Sequence, residues 1–343
     1  MQQQEIDLHA LFKAVDDSLG VECRAAQPLP GGSNNRLICL ETRDSGFLVA
    51  KVYFADDRHR LAREFGVLSA LNRQGFTEVP CAMARLESLK TAVYSYMEGG
   101  SIPVSAFTAS HIEQIAAYLA KLHGVTREVV KENLPMAYAS ARSLGEVVTL
   151  IRNRFEYFAE DKRAVLPSSL QRFLFEERVI EQVEALLGSF LVCHEPTHLE
   201  ELLPAADLRL TSIDFGAHNM LWRADGALVV LDFEYGGWDH PLRVIADFLA
   251  HDVNQAMGVE NAERFVTEYL RRSPLGENVL RDLSAYRYLS QLEWTMVYLT
   301  SMLPDKLARL AFAKGSSFDA ETYIEAQIKK TAHRLAQLAP FKR

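Results

Sequence analysis

The chain has 343 residues and a mass of 38.6 kDa, with 48% hydrophobic and 24% charged residues. This composition excludes a disordered chain, a collagen-like repeat and a disulfide-dense miniprotein, and the length exceeds what one hydrophobic core usually covers, so two lobes are expected. With 37 Lys and Arg against 45 Asp and Glu the net charge is −8, the wrong sign for a protein that grips nucleic acid through its phosphates.

In chain order, Leu8, Leu11, Phe12, Val15 and Leu19 recur at helical spacing over Ile6 to Leu19. Val21 to Leu29 leads into the turn-rich Pro30-Gly31-Gly32-Ser33-Asn34-Asn35. Leu37 to Glu41 and Phe47 to Phe54 read as strands around Asp44-Ser45-Gly46, and Asp56 to Asn72 reads as a helix with Leu61, Phe65, Leu68 and Leu71 on one face. Short strands fit Ala82 to Glu87 and Ala92 to Met97, before Glu98-Gly99-Gly100 breaks the pattern. A helix over His111 to His123 follows, then helical stretches around 141–160, 168–190, 240–252, 260–272, 278–302 and 319–338. The exception is a β-like island of Leu208 to Asp214, Met220 to Trp222 and Leu228 to Phe233. The expected class is α+β, with a small β-rich lobe over 1–97 and a larger helical lobe over 98–343. The first carries 11 basic and 12 acidic residues (net −1), the second 26 and 33 (net −7).

No apolar run approaches the roughly 18 residues that a membrane span needs. The opening MQQQEIDLHA has neither the basic nor the apolar region of a signal peptide. Cys23, Cys39, Cys81 and Cys193 are widely spaced with no C-x-x-C, which fits a reducing compartment. A cytoplasmic protein with no membrane or nucleic-acid partner is the expectation.

The island carries the chemistry. Asp214-Phe215-Gly216-Ala217-His218-Asn219 is a D-x-x-x-x-N segment, and Asp232 follows in Leu231-Asp232-Phe233-Glu234. Phosphoryl transfer needs these groups: one carboxylate to orient the attacking hydroxyl, and a carboxylate with an amide oxygen to hold Mg²⁺ against nucleotide phosphates. Lys51 is the one charge in the apolar run Phe47 to Phe54, Glu64 lies on the next helix, and the glycine pair Gly31-Gly32 sits where a backbone approaches phosphates.

Leu48-Val49-Ala50-Lys51 resembles the lysine strand of kinases. The order glycine turn, Lys51, Glu64, Glu98-Gly99-Gly100, Asp214…Asn219, Asp232 spans nearly the whole chain. In this order, and in Leu119-Ala120-Lys121-Leu122-His123, the chain resembles the aminoglycoside phosphotransferase family and its choline kinase-type relatives. Within that family it is closest to a branch with a D-F-G-x-H-N loop. The resemblance implies a two-lobe protein-kinase-like fold and transfer of the γ-phosphoryl group of ATP or GTP to a hydroxyl of a small molecule. It implies Asp214 as the catalytic aspartate, Asn219 and Asp232 as Mg²⁺ ligands, and Lys51 with Glu64 as the phosphate clamp. Gly31, Gly32, Ser33 and Asn35 would lie over the phosphates, and Ser95 and Met97 would offer backbone groups to the purine. Ser212 stands where the family's loop carries histidine, and its hydroxyl is expected to bond the backbone locally. After Pro241 the family's structural aspartate is replaced by Val244, with Asp247 the nearest candidate. The alternative is a nucleotide-binding regulatory module without turnover, for which only Ser212 argues.

His194-Glu195-Pro196-Thr197-His198 matches the zincin pattern, but Pro196 breaks the helical turn the two histidines would share. No A-P-E segment follows Asp232, which argues against a protein kinase. The helix around Leu283 to Thr300 carries Tyr286, Tyr288, Glu293, Trp294 and Tyr298, which read first as core packing and, alternatively, as a wall of the acceptor pocket. The acidity of the larger lobe, with Glu293 or Asp239 near that pocket, hints at an amine-bearing acceptor but does not select among an aminoglycoside, an amino alcohol and a neutral sugar.

Overall fold

The computed structural model describes residues 7–30, 34–44, 46–275 and 277–342. The small lobe opens with α1 (Leu8–Leu19), started by Asp7, whose side chain accepts from Ala10 N at 3.0 Å, and ended by Gly20 at φ +65°. Five strands follow: β1 (Cys23–Leu29), β2 (Asn35–Thr42), β3 (Phe47–Tyr53), β4 (Ala82–Leu86) and β5 (Thr91–Ser95). They form one antiparallel sheet in the order β1-β2-β3-β5-β4, with α2 (Arg60–Arg73) entering between β3 and β4 in sequence.

β3 lies in the middle, and Lys51 pairs across to Leu37 on one side and Ala92 on the other. Its alternation assigns its faces. Leu48 and Ala50 join Ile38, Leu40, Val93 and the α1 residues Leu11 and Val15 in one apolar cluster, while Tyr53 packs with Leu61 and Leu68 of α2 in another. Lys51 shares the Tyr53 face. The helix expected from Asp56 begins only at Arg60. Asp56 turns back to accept from Arg58 N at 3.1 Å, and His59 takes a left-handed conformation (φ +52°), so 56–59 is a loop.

The larger lobe is helical: α3 (Ala109–His123), α4 (Leu144–Phe155), α5 (Ser168–Glu176), α6 (Val179–Val192) and the single turn α7 (Pro196–Leu199). After the island come α8 (Pro241–Ala250), α9 (Asp252–Gln255), α10 (Gly258–Arg272), α11 (Leu283–Ser301), α12 (Pro304–Lys314) and α13 (Ala320–Gln337). Ile112, Ile115 and Leu119 of α3 share a buried core with Phe265 and Tyr269 of α10, Phe248 of α8, and Leu289 and Leu292 of α11. The helix expected over 168–190 is two, broken at Arg178 (φ +49°). α12 was not foreseen, because Asp305, Lys306, Arg309 and Lys314 interrupt its apolar stripe.

The island is two small antiparallel pairs. β6 (Arg209–Thr211) pairs with β9 (Gly237–Asp239), and β7 (Met220–Trp222) pairs with β8 (Leu228–Val230). β9 was missed because glycine reads as a breaker. Gly237 sits at φ +155°, and a Cβ there would lie 2.5 Å from Pro135 O and 2.6 Å from Ala137 N. Only glycine lets segment 135–137 run against this strand. The crossing between lobes is fastened too: Gly100 N donates to Trp222 O at 3.0 Å, and Trp222 N to Gly100 O at 2.9 Å. The four cysteines are free thiols. Among the described residues no helix is long and apolar enough to cross a membrane.

Candidate active site

Lys51 is buried, and its Nζ meets Glu64 Oε2 at 2.7 Å and Asp232 Oδ1 at 2.8 Å, with Glu234 Oε2 at 3.8 Å. Burial alone would favour the neutral amine, but the Asp232, Glu64 and Glu234 carboxylates together outweigh it and hold the lysine well above its ordinary value. Glu64 projects from α2 and is fixed from two more sides. Tyr53 Oη donates to Oε2 at 2.7 Å, and Phe233 N donates to Oε1 at 3.2 Å. Asp232 follows β8 in a left-handed conformation (φ +65°), which turns the chain towards Lys51.

Asn35 opens β2, and its amide donates to Glu234 Oε2, as Asn34 Nδ2 does to Oε1 at 2.6 Å. Gly31, Gly32 and Ser33 lie outside the described residues. Ser95 ends β5, with its N–H donated to Cys81 O at 3.0 Å and its Oγ accepting from Cys81 N at 2.8 Å. Its amide is therefore already used within the small lobe. Met97 follows in the irregular stretch before Gly99.

Asp214 stands in the loop after β6, just beyond Ile213, a β-branched residue at φ +68°. Asn219 Nδ2 donates to the Asp214 carbonyl at 3.0 Å, which closes the loop on itself. His218 Nε2 lies 3.4 Å from Asp214 Oδ2 and His251 Nε2 lies 3.7 Å from Oδ1. Burial would raise the Asp214 pKa, but the hydrogen bond and charge of His218, ahead of His251, lower it. His251 Nδ1 accepts from Val253 N at 3.1 Å at the start of α9. That acceptor role puts the proton of the neutral ring on Nε2, facing the aspartate.

Ser212 corrects an expectation. Its hydroxyl is buried without a hydrogen-bond partner, and it is Thr211 Oγ1 that accepts from Ile213 N at 3.0 Å. The loop is instead held from α8 and α9. Beside His251, Asn254 Oδ1 accepts from Ala217 N and its Nδ2 donates to Phe248 O, both at 2.9 Å. Asp247 lies on α8 beside the same loop, and Trp294 Nε1 donates to its Oδ1 at 2.6 Å. His194 Nδ1 faces Phe190 O at 2.8 Å and His198 Nε2 faces Asp282 at 3.1 Å, with Pro196 opening α7 between them.

A cavity of about 470 Å³ opens beside Asp214, walled by Trp294 and Tyr298 of α11 and by α12. Its size suits a small organic ligand. The acidic groups expected there are already paired. Asp239 is buried away from the cavity, accepting from Ala141 N and His240 N at 2.9 Å each, and Glu293 meets Arg243 at 3.1 Å and Arg154 at 3.6 Å.

The sequence profile of the phosphotransferase enzyme family matches residues 25–289, which contain every one of these side chains from Lys51 to Asp247. The chain belongs to that family. With it comes the superfamily of aminoglycoside phosphotransferase- and choline kinase-like proteins with a protein-kinase-like fold, and phosphoryl transfer as the general activity. Solved structures agree on the fold. A spectinomycin phosphotransferase in complex with ADP and spectinomycin is 15% identical with a TM-score of 0.63, over 96% of this chain and 98% of that one. A choline kinase from Streptococcus pneumoniae is 15% identical with a TM-score of 0.60, over 96% and 99%. A macrolide 2'-phosphotransferase type I is 13% identical with a TM-score of 0.60, again over 96% and 99%. No curated protein matches the chain in sequence.

Sequence reasoning missed several residues of this phosphotransferase-family site. Glu234 was read only as part of a motif, yet it is buried and joins the β1–β2 turn to the Lys51 centre; burial and then the Asp232 charge raise its pKa to about 7. His251 and Asn254 lie more than thirty residues beyond Asp214, with no local pattern to betray them. Arg58, in the loop that replaces the expected first turn of α2, was not singled out.

Proposed function

We propose that the protein transfers the γ-phosphoryl group of ATP or GTP to a hydroxyl of a small molecule, as an Mg²⁺-dependent kinase of the D-F-G-x-H-N branch. What supports this above all is one arrangement: Lys51 Nζ within 3 Å of both Glu64 and Asp232 on one side of a cleft, and Asp214 with Asn219 in a loop open to the cavity. Residues 1–97 form the nucleotide lobe. The purine lies near the Ser95–Met97 crossing, the phosphates lie under Gly31, Gly32, Ser33 and Asn35, and Lys51, steadied by Glu64, holds the α- and β-phosphates. Residues 98–343 carry the catalytic loop and the acceptor.

The oxygen-only set around Lys51 fits a hard divalent cation. Carboxylate oxygens of Glu64, Asp232 and Glu234 lie within 4.8 Å of one another. With its amide nitrogen spent on the Asp214 carbonyl, Asn219 has its side-chain oxygen left to coordinate. Asp232 and Asn219 would hold the ion, which when bound neutralises the charge of the nucleotide phosphates. The remaining work falls to protein groups. Asp214 accepts the hydroxyl proton as the acceptor oxygen bonds to the γ-phosphorus and the nucleoside diphosphate leaves. The histidines at 218 and 251 keep that carboxylate ionised and oriented.

The compact cavity and the short path from Asp232 to α8 favour a small molecule over a peptide. The test is incubation with Mg²⁺ and ATP or GTP against small hydroxyl compounds and proteins in parallel, read by mass for a gain of one phosphoryl group. Asp214→Asn should lower transfer by about 10²–10⁴-fold while nucleotide affinity stays within about twofold. Transfer to proteins alone would refute the small-molecule reading. Bound nucleotide with no transfer to any compound would favour the regulatory alternative.

A further inference from the structure

The cavity beside Asp214 has more positive than negative groups around it. Its lining includes six cationic side chains and three carboxylates, and five of the six cations come from the larger lobe, whose net charge is −7, with Arg58 added from the small lobe. Two of those cations, Arg154 and Arg243, are answered by Glu293. The far end of the cavity is not balanced in this way. There Arg58, from the loop after β3, shares the lining with Lys306 and Arg309, three residues apart on α12 and so on one side of it. α12 leans on the small lobe at this place: Arg36 Nε donates to Phe312 O at 2.7 Å, and Phe54 packs edge-on against Phe312.

Arg58 makes no ion pair among the described residues. It lies over Tyr138 at 4.5 Å and reaches Tyr235 Oη at 3.4 Å. Arg309 is 9% exposed, its Nε has no hydrogen-bond partner, and its one carboxylate, Asp56 at 3.6 Å, is shared with Arg60 at 2.5 Å. Lys306 pairs at 2.5 Å with Asp305, which is largely solvent-exposed and so balances it weakly. Burial first, and the neighbouring arginines after it, push Lys306 and Arg309 below their ordinary values. The cluster has less counter-charge than charge, with Asp56 shared and Asp305 exposed, and the planar forks of two arginines match an oxyanion.

Resting on the kinase reading above, we infer that the acceptor carries an anionic group, a carboxylate or a phosphate, which Arg58, Lys306 and Arg309 hold while its hydroxyl faces Asp214. The nucleotide has a separate cation in Lys51, and the three basic residues share their cavity with Asp214 and the Trp294–Tyr298 wall. An amine-bearing acceptor would meet like charge at this end.

The experiment uses compounds matched in hydroxyl skeleton and different in charge: glycerate, glycerol and serinol, then ribose 5-phosphate, ribose and glucosamine. Each is offered with Mg²⁺ and ATP to the full chain, and products are read by mass. Calorimetry measures binding of the same compounds without nucleotide. Transfer to glycerate or ribose 5-phosphate is expected, and which of the two is taken separates carboxylate from phosphate. Arg58→Gln should raise the acceptor KM or Kd by roughly 10- to 100-fold, the loss of one charge-assisted contact, with the nucleotide KM unchanged. Arg309→Gln should do the same if it folds; Arg58, in a loop, does not depend on that. Transfer to serinol, glucosamine or the neutral members alone would overturn the inference while leaving the kinase reading standing. A rise in nucleotide KM with acceptor KM unchanged would also overturn it. If no compound is phosphorylated, the kinase reading suffers first. Saturable binding of an anionic member that Arg58→Gln abolishes would still support the inference, and no binding of either would overturn it.

Discussion

The two ends of the cleft are built from the same residue types in opposite proportion. Around Lys51, the carboxylates of Glu64, Asp232 and Glu234 converge on one ammonium, with Arg60 Nε 3.5 Å from Glu234. Around the cavity, six cationic side chains face three carboxylates. Buried charge is tolerated only when something answers it. An excess of carboxylate therefore calls for a cation, and an excess of guanidinium and ammonium for an anion. The first end is suited to a divalent ion with nucleotide phosphates, the second to a charged substrate. Net charge, by contrast, misleads, since five of the six cations come from the more acidic lobe.

The sharpest way to break this contrast is to remove charge from one end alone. Asp232→Ala should abolish the Mg²⁺-dependent part of nucleotide affinity, a loss of roughly 10- to 100-fold for the charge-assisted contacts removed. Binding of ribose 5-phosphate at the other end should be unchanged. Titration of nucleotide with and without Mg²⁺, in both proteins, checks it. If the metal strengthens binding equally in each, Asp232 is not a ligand and the acidic end needs another explanation.

How much of this was readable beforehand follows from range. The Lys51 centre was legible because its parts announce themselves locally: a lysine alone in an apolar strand, a helix next, and Asp232 in a short apolar run. The spacing of Asp214 and Asn219 is weak by itself and drew its weight from the upstream order of Lys51 and Glu64. Glu234 escaped because its partners, Asn34 and Asn35, lie about two hundred residues away. The cationic end escaped for the same reason. Arg58 and Arg309 come together only through the docking of α12 on the small lobe, and α12 itself lacked a clean stripe. The start of α2 failed through turn chemistry, where Asp56 and His59 overrode helical periodicity.

A histidine away from both ends provides a control on how charge is handled. His123 closes α3, fully buried, with Nδ1 2.7 Å from Tyr269 Oη. Burial first, then Arg209 and His240, lower its pKa to about 3. Its folded pKa is thus below the ordinary 6.5, so the stability it contributes is full above about pH 6.5 and is lost as pH falls towards 3. Between pH 7 and 5 this one group should remove about 2 kcal/mol. His123→Phe should remove that part of the pH dependence. It should also cost about 1–3 kcal/mol at pH 7, because the Tyr269 hydroxyl is left alone. Denaturant unfolding at both pH values separates the two effects. An unchanged pH slope in the variant would mean that His123 is not the group responsible.

The smallest effect concerns Ser212. The family resemblance places a scaffold histidine at this position, and the serine hydroxyl is buried without a partner. A buried polar group with no hydrogen bond is a liability, so Ser212→Ala should be neutral or stabilising by up to about 1 kcal/mol. Phosphoryl transfer should change by less than about twofold, since the loop rests on Asn254 and His251 rather than on position 212. Asn254→Ala is the matching contrast. It strips a buried acceptor from Ala217 N and a donor from Phe248 O, and should cost about 2–4 kcal/mol by leaving both unpaired. Unfolding midpoints and turnover of the two variants, measured side by side, decide the matter. If Ser212→Ala lost activity while Asn254→Ala kept it, the support of Asp214 would run through the serine after all.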